Sequence, residues 1–98
     1  MGNLNIIWRK RALKDLSAIA DWYNVNMGFT AARKVVSSAY KTVNLLSIQP
    51  GIGIIQHNLS YGKSAYYGFP MHPLYLIIYR YTTDTLYISA IRAIRMQQ

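Results

Sequence analysis

Two hydrophobic periods alternate along this chain. Asn5 to Arg9, NIIWR, is short, β-branched and aromatic, which predicts a strand. From Lys10 the period changes. Leu13, Leu16, Ile19, Ala20 and Tyr23 recur at three- and four-residue spacing and predict one apolar helix face. Gly28 stands where a helix commonly ends, because glycine accepts the left-handed conformation there. Thr30 is a candidate cap for a second helix. Val35, Val36, Ala39, Val43 and Leu46 form its apolar stripe, and Pro50 stops it. With so short a link, the two helices should form an antiparallel hairpin.

Beyond Pro50 the period turns toward two. Gly51-Ile52-Gly53 reads as a connector; a phosphate-binding loop would need a preceding strand and a Lys-Ser/Thr ending. Ser64 to Phe69 reads as a strand. Pro70 to Pro73 reads as a turn, since two prolines so close should interrupt a ladder. Leu74 to Tyr81, LYLIIYRY, is apolar on both faces through Ile78, the profile of a central strand. Thr82 to Thr85 is a turn, and Leu86 to about Ile94 the last strand. The order β-α-α-β-β-β implies an α+β domain: a small antiparallel sheet with an N-terminal strand and a two-helix hairpin packed on one face. Nothing repeats and no linker divides the chain, so residues 1–98 read as a single domain with one modest core.

Charge sharpens the picture. Eleven Lys and Arg face three acids, all Asp, for a net charge of +8. Such an excess points to an acidic partner more readily than to a merely soluble surface. Leu74 to Met96 carries Arg80, Arg92 and Arg95, and its one acid, Asp84, falls in the turn. Those arginines have no carboxylate on their own strands. Arg9, Lys10, Arg11 and Lys14 form a second basic cluster at the start of the first helix, where positive charge opposes the helix dipole.

Several chemistries find no support. No apolar run reaches the length of a membrane span, and the charges of MGNLNIIWRKR follow its apolar run, the reverse of a secretory signal. Together with the lack of cysteine this predicts a cytoplasmic protein. Asn58-Leu59-Ser60 matches a glycosylation pattern by chance in that setting. His57 and His72 have no neighbouring Cys or carboxylate, so no metal site is expected, and no cofactor motif is visible. Ser60, Ser64 and Ser89 lack a histidine–acid arrangement, and Asp15 and Asp21 are too far apart for paired-carboxylate work. Nine tyrosines invite base stacking, but tyrosine is a favoured strand residue. Alternation sets Tyr75, Ile77, Tyr79 and Tyr81 on one face. If the helices cover the Leu74, Leu76 and Ile78 face, the tyrosine face is free for a partner segment.

Four stretches, in order, resemble the RelE/ParE superfamily of type II toxin–antitoxin toxins. Ala12-Leu13-Lys14-Asp15-Leu16 with Ile19 and Tyr23 resembles its first helix. Leu46 to Gly53 resembles the Leu-x-x-x-Pro-x-x-Gly exit from its second. Tyr67-Gly68-Phe69-Pro70 with Leu76 to Arg80 resembles the ParE-type strand pair, and Ile88 to Arg95 the closing strand with its basic tip. The resemblance implies one of two activities. RelE-type members cut ribosome-bound mRNA with basic residues on the second, third and fourth strands and a later tyrosine. Those positions fall at about Tyr67, Phe69, Leu76 and Ala93, none charged at neutral pH, and no tyrosine follows Arg95. The resemblance is therefore to the ParE branch, which inhibits DNA gyrase by binding and without bond-making. It implies a cognate antitoxin that presents an acidic or amphipathic segment. Arg80, Arg92, Arg95, Lys63 and Tyr79 are the candidate target- or antitoxin-binding residues, and no catalytic residue is assigned. The alternatives are a RelE-like ribosome-dependent mRNA endonuclease and a non-toxic antitoxin-binding module.

Overall fold

The computed structural model describes residues 3–59 and 65–94. Its elements are β1 (Asn5–Trp8), α1 (Lys10–Met27), α2 (Phe29–Ile48), β2 (Ile54–Ile55), β3 (Tyr67–His72), β4 (Tyr75–Tyr81) and β5 (Thr85–Ala93). Short 3-10 turns, Pro50–Ile52 and His57–Leu59, flank β2. The strands form one sheet in the order β1-β5-β4-β3-β2. β1 runs parallel to β5 and the other pairs are antiparallel. The α+β architecture is the expected one. Two features are additions: the parallel β1–β5 pair, and β2, whose two isoleucines are too few to show a period.

The helices reverse through one residue. Gly28 has φ 96°, ψ 167°, a left-handed conformation that a side chain would resist. It ends α1 and also serves as the N-cap of α2. Its carbonyl accepts the Ala32 N–H at 3.2 Å, so Thr30 lies inside the first turn and is not the cap. The α2 stripe is as expected: Val35, Ala39, Val43 and Leu46 are buried and Val36 packs beside them. In α1 the buried residues are Ala12, Leu16 and Tyr23, while Leu13 is exposed. Small Ala12 at the contact lets the helix lie close to the sheet, which turns Leu13 outward.

β3 corrects the expected turn at Pro70. Pro70 lies within the strand, opposite Leu76, and a bulge follows before His72 meets Tyr75. Gln56 N–H donates to Tyr66 O at 2.7 Å, so even-numbered residues there direct their backbone groups away from β4. Pro70 is therefore at a position whose N–H would face the open edge, and the ladder loses nothing. The reversal is at Pro73 and Leu74, where His72 Nδ1 accepts the Leu74 N–H at 3.1 Å.

The covered face is also the opposite of the conditional expectation. Ile77 and Tyr79 are buried in the core, with Tyr67, Phe69, Tyr75 and Tyr81 packed around it. Burying the other face would have carried Arg80 inward with Leu76 and Ile78, and an unpaired buried guanidinium is prohibitively costly. Tyr79 is fully buried. Its hydroxyl donates to Pro50 O at 2.6 Å and accepts Gly53 N–H at 3.0 Å. Burial pushes its pKa up to about 12. Tyr79 thus ties the core to the connector and presents no surface to a partner.

Candidate functional site

The outer face of the sheet is assembled by one irregularity in β5. Leu86 and Ile88 point into the core, which would place Ala90 and Arg92 there too. The pairing shifts instead: Tyr79 faces Ile88, and Ile78 faces Ala90, leaving Ser89 as an extra residue. After this bulge Ile91 enters the core and Arg92 turns outward. Arg80 and Arg92 thereby share one face, opposite Tyr87 and Leu76 respectively.

The parallel β1–β5 pair adds a third arginine. Ile7 lies beside Tyr87, and Arg9 N–H donates to Ile88 O at 2.9 Å. The Arg9 side chain follows Ile7 onto the outer face. Its guanidinium lies 4.8 Å from the centre of the Tyr87 ring, and that of Arg80 lies 4.5 Å from the same centre. Each contact favours a held, partly desolvated guanidinium. Beside this cluster is a depression of about 380 Å³ lined by Arg11, Leu59, Tyr66, Ile78, Ser89 and Arg92, among others.

Asp15 anchors one wall. Its Oδ2 accepts the Ile91 N–H at 2.9 Å, a group left over because β1 ends at Trp8. Its Oδ1 meets Arg11 Nε at 3.3 Å. The exposed ion pair is worth little, roughly 0.3–0.5 kcal/mol. The backbone bond matters more, since an unsatisfied buried donor costs about 1–3 kcal/mol. Asp15→Ala should therefore lower the melting temperature by roughly 4–24 °C, using about 4–8 °C per kcal/mol for a domain of this size. Asp15→Asn, which keeps an acceptor for Ile91, should recover most of it. Thermal unfolding followed by circular dichroism separates the two; equal losses would mean that the charge pair dominates.

The remaining acids do not serve the arginines. Asp84 Oδ1 accepts hydroxyl hydrogens from Thr82 at 3.2 Å and Thr85 at 2.9 Å inside its turn. Asp21 lines a groove of about 460 Å³ between α1 and α2, together with Phe29, Arg33 and Val36. Among the described residues, Arg80 and Arg92 pair with no carboxylate. Of the sequence candidates, these two come together on the outer face, and Tyr79 is in the core. Lys63 and Arg95 lie outside the described residues. In the sequence Arg9 and Arg11 stand only as helix-start charges, and nothing there marks Tyr87 as a neighbour of Arg9. The parallel register that joins them leaves no local signal.

No group of His, Cys, Asp or Glu suited to a metal ion occurs among the described residues. No helix there is long and apolar enough to cross a membrane.

The chain thus presents a two-helix hairpin over a five-stranded sheet, with a basic face opposite the helices. The model of the ParE toxin of type II toxin–antitoxin systems, parDE, matches residues 6–97, and the chain belongs to that family. Among solved structures it resembles a chain of the chromosomal ParDE toxin–antitoxin system from P. aeruginosa. That pair has a TM-score of 0.75 and 22% identity, covering 94% of this chain and 97% of the other. It also resembles the YoeB dimer from Staphylococcus aureus, with a TM-score of 0.59, 17% identity and coverage of 91% and 94%. The YoeB/ParE toxin from Agrobacterium tumefaciens gives 0.59 at 13% identity, over 94% of this chain and all of that one (100%). No curated protein matches the chain significantly in sequence.

Proposed function

We propose that this type II toxin inhibits DNA gyrase in the cytoplasm by binding, and that a cognate antitoxin neutralises it by covering the same surface. The observation that carries the reading is the presence of Arg80 and Arg92 on one sheet face with no answering carboxylate among the described residues. Arginine forks are built for carboxylate and phosphate recognition, so these groups are matched by another molecule. An acidic or amphipathic antitoxin segment supplies the missing charges. The positions that the RNA-cutting branch would charge support binding over bond-making. Tyr67 and Phe69 pack against the core, and Leu76 is an apolar residue opposite Arg92.

The test is to induce the protein alone in a bacterial host and pulse-label DNA and protein synthesis over the first minutes. DNA synthesis should fail first while translation continues. Early collapse of translation would instead favour ribosome-dependent mRNA cleavage, and unchanged growth with folded protein would mark a non-toxic antitoxin-binding module.

A further inference from the structure

We infer that the outer sheet face grips the sugar–phosphate backbone of duplex DNA directly, through Arg9, Arg11, Arg80 and Arg92. The inference deepens the gyrase reading and rests on it for its biological setting, since gyrase is bound to DNA when it works. Its physical basis is independent of that setting.

Four features suit this face to a phosphate backbone. First, all four cations are arginines, whose planar fork matches a phosphate in two hydrogen bonds. Second, two of the forks are already held. Arg9 and Arg80 both lie over Tyr87, so less freedom is lost when they engage a ligand. Third, the same stacking covers the Tyr87 ring. Protein partners draw most of their affinity from aromatic anchors in dry pockets, and here the central ring is already occupied by cations. What the face offers is donors. Fourth, Arg80 and Arg92 are spaced along the sheet. Arg80 and the Leu76 that faces Arg92 are four residues apart on β4, about 14 Å at strand rise. A DNA strand rises about 3.4 Å per nucleotide along the helix axis, so this spacing corresponds to roughly four nucleotides of axial rise. The floor of the depression includes Ser89 and Ala90, small side chains that admit a bulky backbone. The nearest acid, Asp15, is occupied by Ile91 N–H and Arg11.

Such contacts carry no sequence information, so binding should be non-specific and steeply dependent on salt. The experiment titrates the full-length protein into a fluorescent, mixed-sequence duplex and follows anisotropy at several salt concentrations between about 50 and 200 mM. Two variants of equal charge are compared. Arg80→Ala/Arg92→Ala removes two cations from the face; Lys34→Ala/Lys41→Ala removes two exposed cations from α2. The parent should bind in the micromolar range, with log affinity falling against log salt at a slope of about −3.6, about −0.9 for each of four phosphate contacts. The arginine variant should lose about two units of that slope, and the lysine variant should keep it.

Equal losses in both variants would reduce the effect to net charge and overturn the inference. So would absence of duplex binding at low salt, or arginine-dependent binding to polyglutamate in its place. A gyrase supercoiling assay on the same preparations keeps the two readings apart. Gyrase inhibition without DNA binding would sink the inference and leave the gyrase reading standing. DNA binding without gyrase inhibition would do the reverse.

Discussion

Replacing Arg80 and Arg92 together with alanine should raise the toxin concentration needed to half-inhibit gyrase by about 100-fold, while leaving the fold intact. Truncating a charge that a partner desolvates costs at least about 1.4 kcal/mol, or tenfold, and the two positions face separate neighbours, so their losses should add. The structural cost is smaller. Neither side chain has an ion-pair partner among the described residues, so neither leaves a buried acid behind. Arg80 gives up its contact with Tyr87, worth roughly 0.5–1 kcal/mol at a surface site. The melting point should therefore move by only a few degrees, about 4–8 °C per kcal/mol. A supercoiling assay and a thermal melt on one preparation read both quantities. Inhibition equal to that of the parent would show that the toxin acts through a different surface. Arg80→Lys makes a useful companion: it keeps the charge but loses the flat guanidinium over the ring, so a large loss there would mean that fork geometry matters beyond charge.

The arginines also show how much of this face was legible in the sequence. Their lack of carboxylates could be read directly, because Asp84 was the single acid in the stretch and sat in a turn. Which side of β4 the helices cover was legible too, though the tyrosine count pointed the other way. Alternation ties Leu76 and Ile78 to Arg80, and a single guanidinium outweighs the preference of several phenols for a wet surface. The break in β5 left a trace as well. Leu86 and Ile88 are even and Ile91 is odd, so one residue between them had to be extra. What the sequence could not show is the meeting of Arg9 with Tyr87. It depends on β1 pairing parallel to a strand eighty positions away, in a register fixed by the whole fold. The role of Asp15 was hidden for the same reason: its main partner is the backbone of Ile91, which no side-chain pattern announces. The helices and the β4–β5 hairpin were legible because their signals are local. Pro70 misled because proline forbids a donor, and only the edge geometry reveals that none is needed there.

Gly53→Ala should be among the most damaging single changes in the molecule, lowering the melting temperature by roughly 10–20 °C. Its backbone, at φ −74° and ψ 166°, is extended and open to any residue, so conformation does not require glycine. Space does. A Cβ there would collide with the Tyr79 hydroxyl oxygen and come within 2.9 Å of ring atoms Cε1 and Cζ. The ring cannot yield. It is fully buried, and its hydroxyl is held by Pro50 O on one side and by the Gly53 N–H itself on the other. Relief means moving the connector off the core and losing both bonds, at about 2–3 kcal/mol for overpacking of this kind. Gly68→Ala is the contrast. Its Cβ would also meet atoms closer than 3.0 Å, Gln56 Nε2 at 2.7 Å and Leu76 Cδ2 at 2.9 Å. Both are ends of side chains that can swing aside, so the cost should stay below about 1 kcal/mol. Melting curves of the two variants decide the matter. If Gly68→Ala proves the more damaging, the connector is not held by Tyr79, and the burial of that phenol needs another reason. If Gly53→Ala melts early, Tyr79 is the bolt that fixes the connector between the helices and the sheet.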